Sequence, residues 1–248
     1  LQEAKRQLHE EADYLLEAGH LRKFAVALKE SPEFLVPGVD EHFTRSNILA
    51  MDFLEGEPIE SLATATQAAR DRVVGLLLEL LFRELFEFRM IQTDPNFANF
   101  LYNTSTRQLG LLDFGATRSY PVAVIEAYRE LLEAALREDH AAMSKSAQAI
   151  GYFKKDIHAQ QRAAVIKLFV LATEPARSRG RFDFGASDLA IRIRDAGMAL
   201  SFEQGYWHTP PADAVFLHRK LGGLYLLAAR LRAKVDVRLI LERYLHHE

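Results

Sequence analysis

The chain has 248 residues, of which 49% are apolar and 26% are charged, and its net charge is −3. This composition is typical of an ordinary globular chain with a full core and one or two subdomains. Because it contains no cysteine, disulfides and thiol chemistry are excluded, and its scattered Lys and Arg residues indicate no nucleic-acid partner.

The first part of the chain predicts a helix followed by short strands. Apolar residues from Leu8 to Leu28 recur at helical spacing, so we expect a helix over residues 1–30. Residues 47–53 predict a buried strand, which is closed by the turn at residues 55–58. The chain begins with Leu1 inside a helical pattern rather than with Met, and we therefore expect a fragment or a trimmed domain.

A mostly helical region is predicted from Ser61 onward. Residues 73–88 come closest to a membrane-spanning run, but charged residues interrupt them at helical spacing, so no transmembrane segment is predicted. A hairpin of two short apolar strands follows, at residues 101–102 and 109–112. The remaining apolar pattern predicts helices over residues 121–138, 140–151, 157–173, 188–203 and 212–231.

Two motifs around the hairpin have the residue types of a kinase active site. Asn99 follows Asp94 by five positions, and Asp113 begins an Asp-Phe-Gly triplet after an apolar run. In kinases the first acid orients the acceptor hydroxyl or a water, while the Asn and the second Asp hold the Mg²⁺ ions that bridge the ATP phosphates. The hairpin would place Asn99 and Asp113 on the same side. The alternative is a solvated hairpin whose Asp residues only cap turns.

A second Asp-Phe-Gly triplet begins at Asp183. It follows the polar stretch at residues 177–181, and no Asp-x-x-x-x-Asn pattern precedes it at loop distance. We interpret this copy as a helix-capping turn that binds no metal.

Longer stretches around these motifs carry a resemblance to a known family. They are Glu11-Ala12-Asp13 and residues 94–100, 111–118 and 217–223. Over nearly its whole length the chain resembles the UbiB family of AarF/ADCK-type atypical kinases. The sequences of these motifs are typical of the branch that contains the mitochondrial coenzyme Q proteins and their bacterial relatives. The resemblance implies an α+β, protein-kinase-like fold, with the remainder of the small lobe in residues 1–56 and a helical large lobe in residues 57–248.

The resemblance also implies roles for individual residues. Asp94 would be the catalytic-loop acid, and Asn99 and Asp113 the metal ligands. Glu11 and Asp13 would form the family's Glu-x-Asp motif. Glu17 would be the helix glutamate that pairs with the nucleotide-binding lysine. Any of these helix acids is also compatible with an ordinary solvated helix face.

The adenine-binding segment is assigned partly by spacing and partly by the resemblance. Residues 48–56 predict a strand followed by a hinge. Met51 would lie at the back of the pocket, the Asp52 and Leu54 backbones would face adenine, and Leu101 would form the floor. The alternative is a buried strand and turn that contact no nucleotide.

The family's Lys-x-Gly-Gln helix, its alanine-rich phosphate loop and its nucleotide-binding lysine have no counterpart in these residues. We therefore expect the isolated 248-residue chain to bind ATP weakly and to turn it over negligibly.

Two features argue against a protein substrate. Asn96 replaces the lysine that protein kinases have two residues after the catalytic Asp, and Pro121 follows Asp113 by only eight residues, which leaves no room for an activation segment. The chain is therefore expected to be an ATPase or small-molecule kinase that uses ATP and Mg²⁺, and the resemblance implies a role in ubiquinone (coenzyme Q) biosynthesis. The alternatives are a nucleotide- or lipid-binding pseudokinase scaffold and an aminoglycoside/choline-kinase-like phosphotransferase.

The resemblance further implies partners and a location. A membrane lipid or the enzymes of ubiquinone biosynthesis would be partners. The location would be the bacterial cytoplasm, peripheral at the inner membrane, or alternatively the matrix side of the mitochondrial inner membrane. The apolar segments 131–135 and 224–229 predict core helices, with a face turned to lipid as the alternative.

Overall fold

A computed structural model of the chain describes residues 13–94, 96–153, 156–203, 206 and 210–245. The first described helix, α1 (Tyr14–Ala27), begins after the N-cap residue Asp13. The Asp13 carboxylate accepts hydrogen bonds from the backbone N–H groups of Leu15 and Leu16, at 3.0 and 3.3 Å, as a helix N-cap does. Asp13 therefore precedes the helix instead of lying within it, and Glu11 lies outside the described residues.

A four-stranded sheet joins the first part of the chain to the hairpin. Its strand order is β1 (Phe34–Leu35), β5 (Gln108–Leu111), β4 (Phe100–Asn103) and β2 (Glu57–Pro58). β1 is parallel to β5, and the other pairs are antiparallel, which confirms the predicted hairpin. Because the sheet takes strands from both sides of residue 56, the division into two lobes at that point stays a prediction.

The predicted buried strand at residues 47–53 is wrong. This segment forms only the single bridges Val39–Met51 and Arg45–Ile48, and the side chain of Phe53 is 89% exposed. A strand needs a neighbour along its edge to pair its backbone groups. Among the described residues no strand lies alongside this segment beyond those bridges.

The helical region begins with a 3₁₀ turn (Ile59–Thr64) and the helix α2 (Gln67–Arg83), which continues into a π turn (Glu84–Phe88). α2 is the central helix of this region, since its residues 73–82 are mostly apolar and buried. β3 (Met90–Gln92) follows and pairs antiparallel with β6 (Thr117–Ser119). The buried residues of α2 include Val73, Val74, Leu76, Leu77, Leu78, Leu80, Leu81 and Phe82.

Helices make up most of the chain after β6. Of those described, none combines the length and the apolarity needed to cross a membrane. The five predicted helices are confirmed, whereas α6, α9 and the small sheet of β7 and β8 were not predicted. The elements are α3 (Val122–Leu136), α4 (His140–Ile150), α5 (Ala159–Ala172), α6 (Glu174–Arg177), β7 (Phe182–Asp183), α7 (Leu189–Met198) with a π turn (Ala199–Glu203), α8 (Ala212–Arg230), β8 (Lys234–Val235) and α9 (Val237–Leu245).

The apolar segments of α3 and α8 belong mainly to the core. Leu131 and Leu227 are each 2% exposed, and Ala134 and Ala228 are fully buried. Leu226 is an exception on the outer face of α8, at 59% exposed. These segments therefore pack inside the protein, as the core interpretation predicted.

Candidate nucleotide and metal site

The hairpin brings three of the predicted site residues together. Asn99 ends a 3₁₀ turn just before β4, and Asp113 follows β5 after one intervening residue. The Asn99 Nδ2 atom lies 2.9 Å from Asp94 Oδ2 and 3.1 Å from Asp113 Oδ2. The amide of Asn99 therefore lies between the two carboxylates.

This donor set fits a magnesium ion that is shared with a nucleotide. Carboxylate and amide oxygens are ligands that Mg²⁺ prefers, and nucleotide sites complete its coordination with phosphates and water. The NH2 group of Asn99 lies between the two carboxylates, where a cation would be attracted. Rotation of the side-chain amide by about 180° would place its oxygen there instead. Within the described residues no cluster of three or more His, Asp or Glu side chains would hold a metal, so phosphate oxygens would have to contribute.

Hydrogen bonds order the loop of residues 113–116, called the metal loop after its predicted role, and join it to the loop of residues 94–99, called the catalytic loop after its predicted role. The Gly115 N–H donates to Asp113 Oδ1 at 2.9 Å. Thr93, which precedes Asp94, donates both its backbone N–H and its hydroxyl to the carbonyl of Ala116, at 2.9 and 2.7 Å. Thr93 is only 2% exposed, so this double contact is a buried tie between the catalytic loop and the metal loop. The sequence analysis gave no role to Thr93.

Glu17 on α1 faces the metal loop. Its side chain accepts a hydrogen bond from the Phe114 N–H at 3.4 Å. Burial and the negative charge of Asp113 raise the pKa of Glu17 to about 7. On the same helix, His20 Nδ1 lies 3.1 Å from the Phe114 carbonyl oxygen, and the rings of Phe24 and Phe114 lie 4.4 Å apart. α1 therefore packs along the Asp-Phe-Gly segment.

The resemblance implies a lysine as the partner of Glu17. In the described part of the chain, the groups that shift the pKa of Glu17 are Asp113 and the Phe114 backbone, and no cation is among them. The pairing of Glu17 with a lysine therefore stays a prediction.

A buried ion pair lies beneath the catalytic loop, and the sequence analysis missed it. Glu84 is 1% exposed, Lys220 is 4% exposed, and their charged groups are in contact. Burial raises the pKa of Glu84 to about 7 and lowers the pKa of Lys220. One feature of the sequence indicates that Lys220 is important, namely its position within residues 217–223, one of the stretches that carry the family resemblance.

Gln92 connects this pair to the site. Its backbone is hydrogen-bonded to the Glu84 carboxylate, and its side chain is 3% exposed. Neither amide atom of that side chain has a hydrogen-bond partner among the described residues. Gln92 and Glu84 line a void of about 10 Å³ together with Asn99 and Asp113. The metal loop therefore lies directly above buried polar groups.

Leu54 and Leu101, two of the residues predicted to contact adenine, lie close together on the sheet. Leu54 Cδ1 and Leu101 Cβ would be 3.2 and 3.5 Å from a Cβ atom placed on Gly110. The segment that follows residue 53 therefore packs against the β4–β5 hairpin, which contributes an apolar surface beside the metal loop.

Met51 and Asp52 are the other two residues predicted to contact adenine. Met51 is 39% exposed instead of lying at the back of a closed pocket, and its backbone forms a single bridge with Val39. Asp52 forms a local pair with Gly38, in which the Asp52 N–H donates to the Gly38 carbonyl at 2.9 Å and its carboxylate accepts from the Gly38 N–H at 3.1 Å. The hinge role of this segment stays a prediction.

The second Asp-Phe-Gly triplet has a different environment. Asp183 Oδ1 accepts hydrogen bonds from the N–H groups of Gly185 and Ala186, both at 3.1 Å. Its other oxygen pairs with Lys234 Nζ at 2.8 Å, and the hydrogen bond from Lys234 lowers the pKa of Asp183. Asp183 ends β7, while α7 begins only at Leu189. The predicted helix cap is therefore wrong, and the residue forms a turn at the end of a strand.

The sequence matches known proteins over nearly its full length. Residues 1–147 match the ABC1 atypical kinase-like domain. The chain is 34% identical over 238 residues to the rat (Rattus norvegicus) protein named atypical kinase COQ8B, mitochondrial, covering 96% of this chain and 45% of that protein. It is 37% identical over 236 residues to atypical kinase COQ8, mitochondrial, of Saccharomyces cerevisiae, covering 94% and 46%. The chain thus spans less than half the length of these curated relatives.

The same architecture is found among solved structures, for example in the complex of Rv3197 with erythromycin from Mycobacterium tuberculosis, which has a TM-score of 0.73 and 20% sequence identity to this chain. The match covers 98% of this chain and 60% of that one. At this identity the likeness shows the fold alone, and with the family match it confirms the predicted α+β, kinase-like fold.

Proposed function

Since this chain belongs to the ABC1 (UbiB) family of atypical kinase-like proteins, we propose that it is an Mg²⁺-dependent ATPase or small-molecule kinase that supports coenzyme Q biosynthesis. The observation that carries this proposal is the meeting of Asp94, Asn99 and Asp113 around a single amide group. A chain without metal-dependent phosphoryl chemistry would not need these three side chains in contact.

Each of these residues has a distinct role in the proposed reaction. Asp113 and Asn99 would hold Mg²⁺ through their side-chain oxygens. When bound, the ion would bridge phosphate oxygens and neutralise the charge that develops on them. Asp94 would accept a hydrogen bond from the attacking water or hydroxyl group, which orients the nucleophile.

The short connection after the metal loop supports a small acceptor. β6 begins at Thr117 and is paired with β3, and α3 begins at Val122. The residues between Asp113 and α3 are thus committed to the sheet and its turns. No length of chain is left there to bind a peptide, so water or a small molecule is the better candidate for the acceptor.

The names of two relatives support a mitochondrial location. The rat and yeast relatives are named as mitochondrial, which supports the matrix side of the inner membrane over the bacterial cytoplasm. A membrane lipid or the enzymes of coenzyme Q biosynthesis would be the partners there.

Calorimetric titration with ATP tests the metal site. The titration uses the full-length protein, because the chain spans less than half the length of its relatives. The weak binding expected of the isolated 248 residues stays a separate prediction. We expect the wild type to bind ATP more tightly with Mg²⁺ than with excess EDTA, and Asp113→Asn to lose most of this difference. An unchanged Mg²⁺-ATP affinity in Asp113→Asn would show that the metal assignment is wrong.

A further inference from the structure

A second cavity lies among the C-terminal helices and shares no lining residue with the Asp94–Asp113 site. Its volume of about 380 Å³ is within the range of ligand pockets, about 300–1,000 Å³. The cavity is lined by residues of α5, α7 and α8, mostly apolar, and none of the described lining residues is charged. The apolar wall includes Val165, Leu168, Phe169, Leu200 and Leu221.

Two glycines inside helices keep this cavity open. Gly197 of α7 and Gly222 of α8 both line it, and a Cβ atom added at either position would meet no atom within 4 Å. Glycine in a helix interior is less stable than alanine. Because no neighbouring atom requires glycine at these two positions, their structural effect is to leave space in the same cavity.

The cavity has one polar end. His218 Nε2 lies 2.5 Å from the Tyr152 hydroxyl, which lies 2.8 Å from the Tyr128 hydroxyl. The rings of His218 and Tyr152 are stacked, with centroids 5.4 Å apart. The hydroxyl of Tyr225 is already used, because it donates to the carbonyl of Ala172 at 2.8 Å. The histidine is therefore the polar group that a ligand would meet.

His218 has the surroundings of a residue that faces a cavity. It is exposed by surface area, yet the surrounding protein is dense enough to lower the pKa of His218 to about 4. The two observations agree if the accessible surface of the ring faces the cavity. The Nδ1 atom of His218 has no hydrogen-bond partner in the described part of the chain.

We propose that this cavity is a second ligand site, which binds a neutral, mainly apolar molecule with a single hydrogen-bonding group. The apolar group would occupy the space beside Gly197 and Gly222, and the polar group would bind His218 at Nδ1. A charged ligand is disfavoured because the described lining offers no opposite charge to compensate for the loss of its hydration.

Titration with N-phenyl-1-naphthylamine tests the site, because this fluorescent molecule is apolar and carries one N–H group. We expect binding in the micromolar range. Gly222→Leu should fill the cavity and weaken binding at least tenfold. Gly19→Leu is the matched control, since Gly19 also has open space around it and lies on α1, and its affinity should match the wild type.

Thermal unfolding of each variant shows whether it is folded, and Gly197→Leu replaces Gly222→Leu if the latter fails to fold. The polar end is tested separately with His218→Phe, which keeps a ring. This variant should bind N-phenyl-1-naphthylamine no better than 1-phenylnaphthalene, which lacks the N–H group, whereas the wild type should prefer the former several-fold. No binding by the wild type, or wild-type affinity in both glycine variants, would overturn the proposal. An unchanged preference in His218→Phe would overturn the role of the histidine.

Discussion

The buried pair of Glu84 and Lys220 gives the sharpest prediction about stability. Lys220→Met removes the cation and leaves the Glu84 carboxyl, 1% exposed, without its partner. Breaking a buried pair on one side costs about 3–5 kcal/mol, because the remaining group must either stay charged without a partner or take up a proton. For a protein of this size the midpoint of thermal unfolding should fall by roughly 6–20 °C.

The same experiment has a matched control on the surface. Arg230 and Glu60 also form an ion pair, but their side chains are 62% and 38% exposed. Arg230→Met should lower the free energy of unfolding by about 0.2–1 kcal/mol, the usual contribution of an exposed pair. The double variant Glu84→Leu/Lys220→Met should recover most of the lost stability, since apolar residues can replace both buried charges.

The pH dependence follows from the pKa of Glu84. Burial raises this pKa from 4.5 to about 7, and Lys220 opposes the rise, so Lys220→Met should raise it further. Between pH 4.5 and this raised pKa, Glu84 of the folded variant holds a proton that the unfolded chain has released. The free energy of unfolding of the variant therefore falls as the pH rises through this range. Urea unfolding should therefore show a larger loss in Lys220→Met at pH 8 than at pH 5. The reasoning is refuted if Lys220→Met costs no more than Arg230→Met.

Three further predictions concern single residues. Asp183→Asn should lower the free energy of unfolding in urea by about 0.2–1 kcal/mol, because it removes an exposed ion pair with Lys234 and keeps the oxygen that accepts from Gly185 and Ala186; a larger loss would mean that Asp183 does more than hold this turn. Asp13→Ala should cost about 1 kcal/mol in the same assay, since it removes the N-cap of α1, and a neutral result would show that the cap is not needed. Burial lowers the pKa of His218 to about 4, so the contribution of the neutral ring to stability is present above pH 6.5 and is lost as the pH falls toward 4. Between pH 7 and pH 5 the wild type should therefore lose more stability than His218→Phe. Equal losses in the two proteins would contradict this.

Local patterns in the sequence predicted the helices and the hairpin because these elements depend on neighbouring residues. The 3.6-residue periodicity of α3, α4 and α8 and the turn residues between β4 and β5 are visible without tertiary structure. The hairpin in turn placed Asn99 and Asp113 on the same side, which is why two short motifs predicted the centre of the site.

The errors and omissions depend on contacts between distant parts of the chain. The segment around Met51 has the apolar residues of a strand, but a strand forms only where a partner lies beside it. Asp183 has the same triplet as Asp113, and only its contact with Lys234, 51 residues later, reveals its structural role. Lys220 and Glu84 are 136 residues apart, so no local pattern could pair them.

The central claim is that Asp113, and not Asp183, holds the metal in a working nucleotide site. Measuring ATP turnover by the full-length protein with each residue changed to Asn tests this most directly. We expect Asp113→Asn to lose activity by about a hundredfold or more, because a metal ion supplies several kcal/mol of transition-state stabilisation, while Asp183→Asn keeps the wild-type rate. Equal losses in the two variants, or full activity in Asp113→Asn, would contradict the assignment of this site.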